Sequence, residues 1–200
     1  MKSKIKPPDI LEAIQPVISA FDKLSIPYYI GGSIASSAYG IARATMDVDI
    51  VADIAIEKIS FLKKILEDEY YVDEKMIKDA ILRSSSFNLI HLETMIKIDV
   101  FLHRRQAYQE ESLRRKRRDT VEDSEDAAEF YFSSPEDIIL NKLQWYEMGN
   151  RVSERQWLDV IGVIKVQSMN LDVEYLRKWG EHLGLLDLIT KAFHETGSEF

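Results

Sequence analysis

Near the start of the chain Ile10, Leu11, Ile14, Val17, Ile18, Phe21 and Leu24 recur at helical spacing, which predicts an amphipathic helix packed beside a sheet. Pro16 falls inside this run and predicts a kink or a split. The period then changes. Tyr28, Tyr29 and Ile30 have the aromatic and β-branched character of a strand. In TMDVDIVADI, Met46, Val48, Ile50 and Ala52 alternate with Thr45, Asp47, Asp49 and Val51, the two-residue period of a strand. Helical spacing returns over Glu57 to Leu66 through Ile59, Phe61, Leu62, Ile65 and Leu66, then a short strand over Tyr70, Tyr71 and Val72 and a helix from Met76 to Leu82.

The stretch FNLIHLETMIKIDVFLH holds two alternating runs on either side of Glu93-Thr94, so a hairpin is expected although its turn lacks the usual glycine. In the second run Ile96, Ile98, Val100 and Leu102 face one way, and Lys97, Asp99, Phe101 and His103 the other. Phe130-Tyr131-Phe132 reads as a strand before a helix start, with Ser134 as N-cap, Pro135 at the first position and Glu136 and Asp137 in the first turn. Ile138, Ile139, Leu143 and Tyr146 form that helix's apolar face. Another helix follows Ser153, and Leu176, Trp179, Leu183, Leu186 and Ile189 predict packed helices broken near Gly180 and Gly184. The expected fold is α+β, a mixed twisted sheet flanked by helices over residues 1–133 with a helical part over 134–200.

Chemistry concentrates between Tyr28 and Ile54. Gly31-Gly32 allow a tight turn open to a ligand, and Ser33 follows at a helix N-terminus, where free N–H groups and a partial positive charge suit a phosphate. Asp47 and Asp49 project from one side of the next strand. Two carboxylates at that spacing repel one another unless a cation sits between them, and hard oxygen ligands on a strand suit Mg²⁺. A calcium loop fits worse, because the intervening residues are apolar and strand-forming. Asp99 is a further acid on an otherwise strong strand, with Lys97 on the same face as a competing ion-pair partner. His91 and His103 have no second histidine at ligand spacing and are discounted as metal ligands.

The order Gly-Gly-Ser turn, short helix, Asp-x-Asp strand resembles the DNA polymerase β-like nucleotidyltransferase superfamily. Arg43-x-Thr45-x-Asp47-x-Asp49 is similar to its minimal bacterial branch, which includes the AbiEii toxins of toxin-antitoxin systems. The resemblance implies transfer of a nucleoside monophosphate from an NTP to an acceptor hydroxyl, on an RNA 3′ end or a protein side chain. It further implies two Mg²⁺ ions held by Asp47, Asp49 and a third carboxylate carried onto Asp99. Gly31, Gly32, Ser33, Arg43, Thr45 and Lys142 would bind the nucleotide. Lys142 interrupts a buried stripe: either it reaches the triphosphate, or its stem packs while its amine escapes to water. Asp159 is i+4 from Arg155, a plain helical ion pair or an acid supporting the site. The alternative class is a nucleotide-binding regulator or antitoxin-like partner without turnover. A complete acid triad argues against it, because binding alone does not need Asp99.

The 200 residues are 46% hydrophobic, ample for a core, and the absence of cysteine excludes disulfides and thiolate metal sites and fits a reducing cytoplasm. MKSKIKPPDI does not resemble a signal peptide, and no apolar run approaches the length that spans a bilayer. A net charge of −8 argues against nonspecific coating of nucleic acid. Arg104, Arg105, Arg114, Arg115, Lys116, Arg117 and Arg118 nevertheless concentrate positive charge, as a surface for tRNA or other RNA or as a run neutralised by Glu122, Asp123, Glu125, Asp126 and Glu129. The family resemblance also makes a cognate antitoxin a partner to expect.

Overall fold

The computed structural model describes residues 8–45, 47–120 and 128–200. Met46, the opening MKSKIKP, and the acids Glu122, Asp123, Glu125 and Asp126 lie outside the described residues. Helix α1 (Pro8–Lys23) leads into strand β1 (Tyr28–Ile30), helix α2 (Gly32–Tyr39) and strand β2 (Val48–Ala52). A 3₁₀ turn at Ile56–Lys58 precedes α3 (Ile59–Leu66), β3 (Tyr70–Tyr71) and α4 (Glu74–Arg83). Then come the hairpin β4 (Ser86–His91) and β5 (Lys97–Leu102), α5 (Ala107–Arg114), β6 (Arg117–Thr120) and β7 (Glu129–Phe132). Four helices follow: α6 (Pro135–Met148), α7 (Glu154–Gln167), α8 (Val173–Leu183) and α9 (Leu186–Thr196).

Among the described residues the strands form a seven-stranded mixed sheet in the order β3-β4-β5-β2-β1-β7-β6. β2 runs antiparallel to β1 and parallel to β5, while β7 runs parallel to β1. Alternation sets the two faces. Val48, Ile50, Ile98, Val100, Phe87 and Leu89 share the face that is fully covered. Over it α1, α3 and α4 pack together, with Phe21 of α1 against Tyr28 and the Tyr70 hydroxyl donating to the Ala13 carbonyl. Asp49, Val51, Asp99 and Phe101 share the opposite face, where the Trp145 ring of α6 meets Phe101. The expected mixed α+β sheet with flanking helices is therefore the observed architecture.

Three local expectations need correction. Pro16 does not split α1, which runs unbroken past it. Gly180 does not break a helix; it lies inside α8, where its bare Cα lets Ile189 of α9 pack close, and the break falls at Gly184 with φ 70°. The charged span after Arg104, for which no element was expected, contains α5 and β6. The hairpin lacks a turn glycine as expected, and Met95 takes the positive φ of 58° instead.

Candidate active site

Strand β1 ends at Ile30, and the Gly31 N–H donates to the Asp49 carbonyl at 2.8 Å, so the chain leaves the sheet directly beside Asp49. Gly32 has φ +53°, and a Cβ built there would lie 1.7 Å from Asp49 Oδ2 and 2.6 Å from its Cγ. The Asp49 carboxylate thus rests on the bare Cα of the turn, an approach that only glycine permits. Helix α2 begins at Gly32, one residue earlier than expected, with Gly31 at its N-cap and no side chain capping it. The Ser36 hydroxyl donates to the Gly32 carbonyl at 2.8 Å and closes the first turn.

Asp49 and Asp99 are register partners on the parallel pair β2–β5, with Asn88 of β4 next across the sheet. Alternation therefore puts both carboxylates on one face, side by side. Asp47 lies just before β2 and is exposed. Burial pushes the Asp49 carboxyl above its ordinary range; Lys142 opposes the rise, while repulsion from Asp99 and Asp47 adds to it. Lys97 Nζ holds Asp99 Oδ2 at 2.7 Å, so the ion pair weighed against metal ligation from the sequence does form. Among the described residues no group of three acidic or histidine side chains is gathered tightly enough to hold a metal ion as it stands. The donor set nonetheless suits a hard divalent cation: Asp99 and Asp47 both repel the half-buried Asp49 carboxylate, and Lys142 and Lys97 do not fully offset its raised pKa.

The cations on the other side of the site converge on Asp159. Arg43 Nε and Nη2 donate to its two oxygens at 2.9 and 3.1 Å, and Lys142 Nζ lies 2.8 Å from Oδ2. Arg43 Nη2 also donates to the Ser33 hydroxyl, which ties the glycine-serine turn to this network. The Lys142 side chain is only 7% exposed, so its amine does not escape to water. Burial favours the neutral form of Asp159, but hydrogen bonds from Arg43 and Lys142 outweigh it and hold the carboxyl below its ordinary range. The helical pair expected between Arg155 and Asp159 is replaced by these two distant partners. Glycine makes the approach possible: a Cβ on Gly40 would lie 3.0 Å from Val163 N, and one on Gly162 would lie 3.2 Å from Ile41 N. Backbone thus meets backbone where α7 crosses the end of α2, one turn from Asp159.

Other expected site residues do less. The Thr45 hydroxyl and the Asp47 backbone exchange weak contacts of 3.3 and 3.4 Å within a local turn. The basic cluster is dispersed into ion pairs: Arg115 and Arg117 reach the buried Glu136, Arg114 pairs with Glu111, and Arg118 with Glu129. Lys116 lies over the Tyr131 ring, Arg104 bonds the Ser84 carbonyl, and Arg105 reaches Asp53. Glu136 and Asp137, expected as first-turn acids, are both fully buried. Asp137 accepts from the hydroxyls of Ser134 and Tyr175 at 2.7 Å each; burial raises its carboxyl and these bonds oppose the rise. The signal for Glu136 was charge complementarity with the basic run before it.

No family model matches the chain, and no curated protein matches it in sequence. Solved structures do. The solution structure of the antibiotic-resistance factor ANT(2'')-Ia is 15% identical with a TM-score of 0.52, over 94% of this chain and 97% of that one. The crystal structure of ANT(2'')-Ia in complex with adenylyl-2''-tobramycin gives 13% identity and 0.54, over 88% and 97%. An antigenic nucleotidyltransferase-like protein from Paracoccidioides brasiliensis gives 18% and 0.52, over 94% and 93%. The likeness is one of fold: this chain shares the architecture of these three structures over most of its length.

Proposed function

We propose that the protein is a metal-dependent nucleotidyltransferase that moves a nucleoside monophosphate from an NTP to an acceptor hydroxyl. One observation carries this: Asp49 rests on the bare Cα of Gly32 with Asp99 beside it as register partner on the next strand, and Lys142 is close enough to act on Asp49. A structural domain has no use for such a group, because adjacent like charges on a half-buried face cost stability. Asp47, Asp49 and Asp99 would hold Mg²⁺, which when bound supplies positive charge beside the reacting phosphorus.

The chain's own residues divide the remaining work. Ser33 and the uncapped N-terminus of α2 would grip the terminal phosphates, with the cations Arg43 and Lys142, both oriented by Asp159, offsetting their charge. The acceptor oxygen forms a bond to the α-phosphorus as the bond to pyrophosphate breaks. Asp99 lies on the strand farther from the turn and would take the hydroxyl proton. The engagement of the basic cluster by acids, a carbonyl and an aromatic ring argues against a long polynucleotide track. The shared fold of a protein crystallised with adenylyl-2''-tobramycin supports testing small-molecule hydroxyls beside RNA 3′ ends and protein side chains.

The test is transfer of label from each α-labelled NTP, with Mg²⁺, to purified RNA, to cell-extract protein and to a panel of small polyhydroxyl compounds. We expect labelling of one acceptor class, reduced at least about 100-fold in Asp49→Asn. That variant should melt at or above the wild-type temperature, since it loses a repelled, half-buried charge. Equal labelling by wild type and Asp49→Asn would reject the mechanism.

A further inference from the structure

The two lysines nearest the acids behave differently. Lys142 is buried and locked to Asp159, so it cannot serve Asp99. Lys97 stands two residues before Asp99 on the same strand face, with Nζ 2.7 Å from Asp99 Oδ2, and its side chain is 47% exposed against 19% for Asp99. The ammonium therefore sits at the rim of the acid group, on a flexible stem with water beside it. Asp47 and Asp49 also act on the Lys97 charge, so it serves the whole group and not one partner alone.

We infer that Lys97 is a built-in counter-cation for the acid group, one that a divalent ion must displace from Asp99 in order to bind. The inference rests on the metal-dependent reading above and goes beyond it. In the metal-free protein the ion pair relieves the repulsion between Asp99 and Asp49. When a doubly charged ion enters, the same carboxylate oxygen is wanted by both cations, and the exposed lysine can swing into solvent. Lys97 thereby keeps the free site folded and lowers its affinity for metal. A merely structural lysine would do the first without the second.

The experiment titrates the metal-free protein of all 200 residues with Mn²⁺, with bound ion read by electron paramagnetic resonance independently of any turnover. Lys97→Met should bind Mn²⁺ roughly tenfold more tightly than wild type, since one competing positive charge within a few ångströms is gone, discounted for its exposure. Lys97→Arg should stay near wild type. In the Asp99→Asn background the same Lys97→Met change should give a clearly smaller gain, because the contested oxygen is no longer charged and only the weaker pull of Asp47 and Asp49 on the lysine remains. Metal-free Lys97→Met should melt below wild type and recover on adding Mn²⁺. Unchanged Mn²⁺ affinity in Lys97→Met, or an equal gain in the Asp99→Asn background, would overturn this inference while leaving the metal-dependent reading intact. Failure of wild type and every variant to bind Mn²⁺ would overturn both.

Discussion

Gly32 shows how a single residue can couple backbone geometry to chemistry. Its φ of +53° and the 1.7 Å gap that a Cβ would leave to Asp49 Oδ2 are separate demands met by the same missing side chain. An alanine there would pay the left-handed backbone penalty of about 1–2 kcal/mol and also push the Asp49 carboxylate off the turn. Gly32→Ala should therefore lower stability by at least about 2 kcal/mol in urea unfolding and, on the proposed mechanism, remove most of the transfer activity. Wild-type activity together with a wild-type midpoint would mean that the carboxylate does not need its seat on the glycine. Asp49 itself adds a sign to the pH behaviour. Its carboxyl is raised, so the stability it costs near neutrality is recovered as pH falls through its folded pKa.

Helix α6 illustrates what a local element can carry. Ser134 accepts from the Asp137 N–H at 3.2 Å and donates to Asp137 Oδ2 at 2.7 Å, all without solvent access. Ser134→Ala removes a cap and strips one donor from a buried carboxylate, so the loss should reach about 2 kcal/mol, the upper end for an N-cap. A change below about 0.5 kcal/mol in denaturant melts would show that Asp137 finds another partner. The start of this helix was legible because a cap, a proline and first-turn acids sit within four residues. The shared face of Asp49 and Asp99 was legible for a related reason, since strand alternation assigns a face with no knowledge of neighbours. Helix α5 and strand β6 were not. Their residues are highly charged, and what holds them is distant: Glu136 for Arg115 and Arg117, and Asp172 for Arg115. Lys142 lay between these cases, because periodicity named the side it faces and not the carboxylate waiting there.

At the scale of the whole molecule, Asp159 joins the segment after α2 to the C-terminal helices. Its partner Arg43 lies 116 positions earlier, beside the glycine turn, and its other partner Lys142 belongs to α6. No local pattern could find this, since Arg155 stands at helical spacing and is the nearer candidate. The carboxylate is 5% exposed and Lys142 is 7% exposed, so the charges compensate one another away from water. Asp159→Asn would leave two cations facing a neutral amide, a loss of about 3 kcal/mol for a buried pair broken on one side. The pH dependence supplies an independent check. The Asp159 carboxyl is held below its ordinary value of 3.8, so its contribution is fully present above that value and is lost as pH falls through the lower folded pKa. Wild-type stability should drop across this acid window, whereas Asp159→Asn, already weakened at pH 7, should show a shallower slope there. On the proposed mechanism the same variant should also raise KM for the NTP, since Arg43 and Lys142 would lose the carboxylate that fixes them. Parallel acid slopes for the two proteins would show that Asp159 does not carry the link between the sheet's glycine turn and the C-terminal helices.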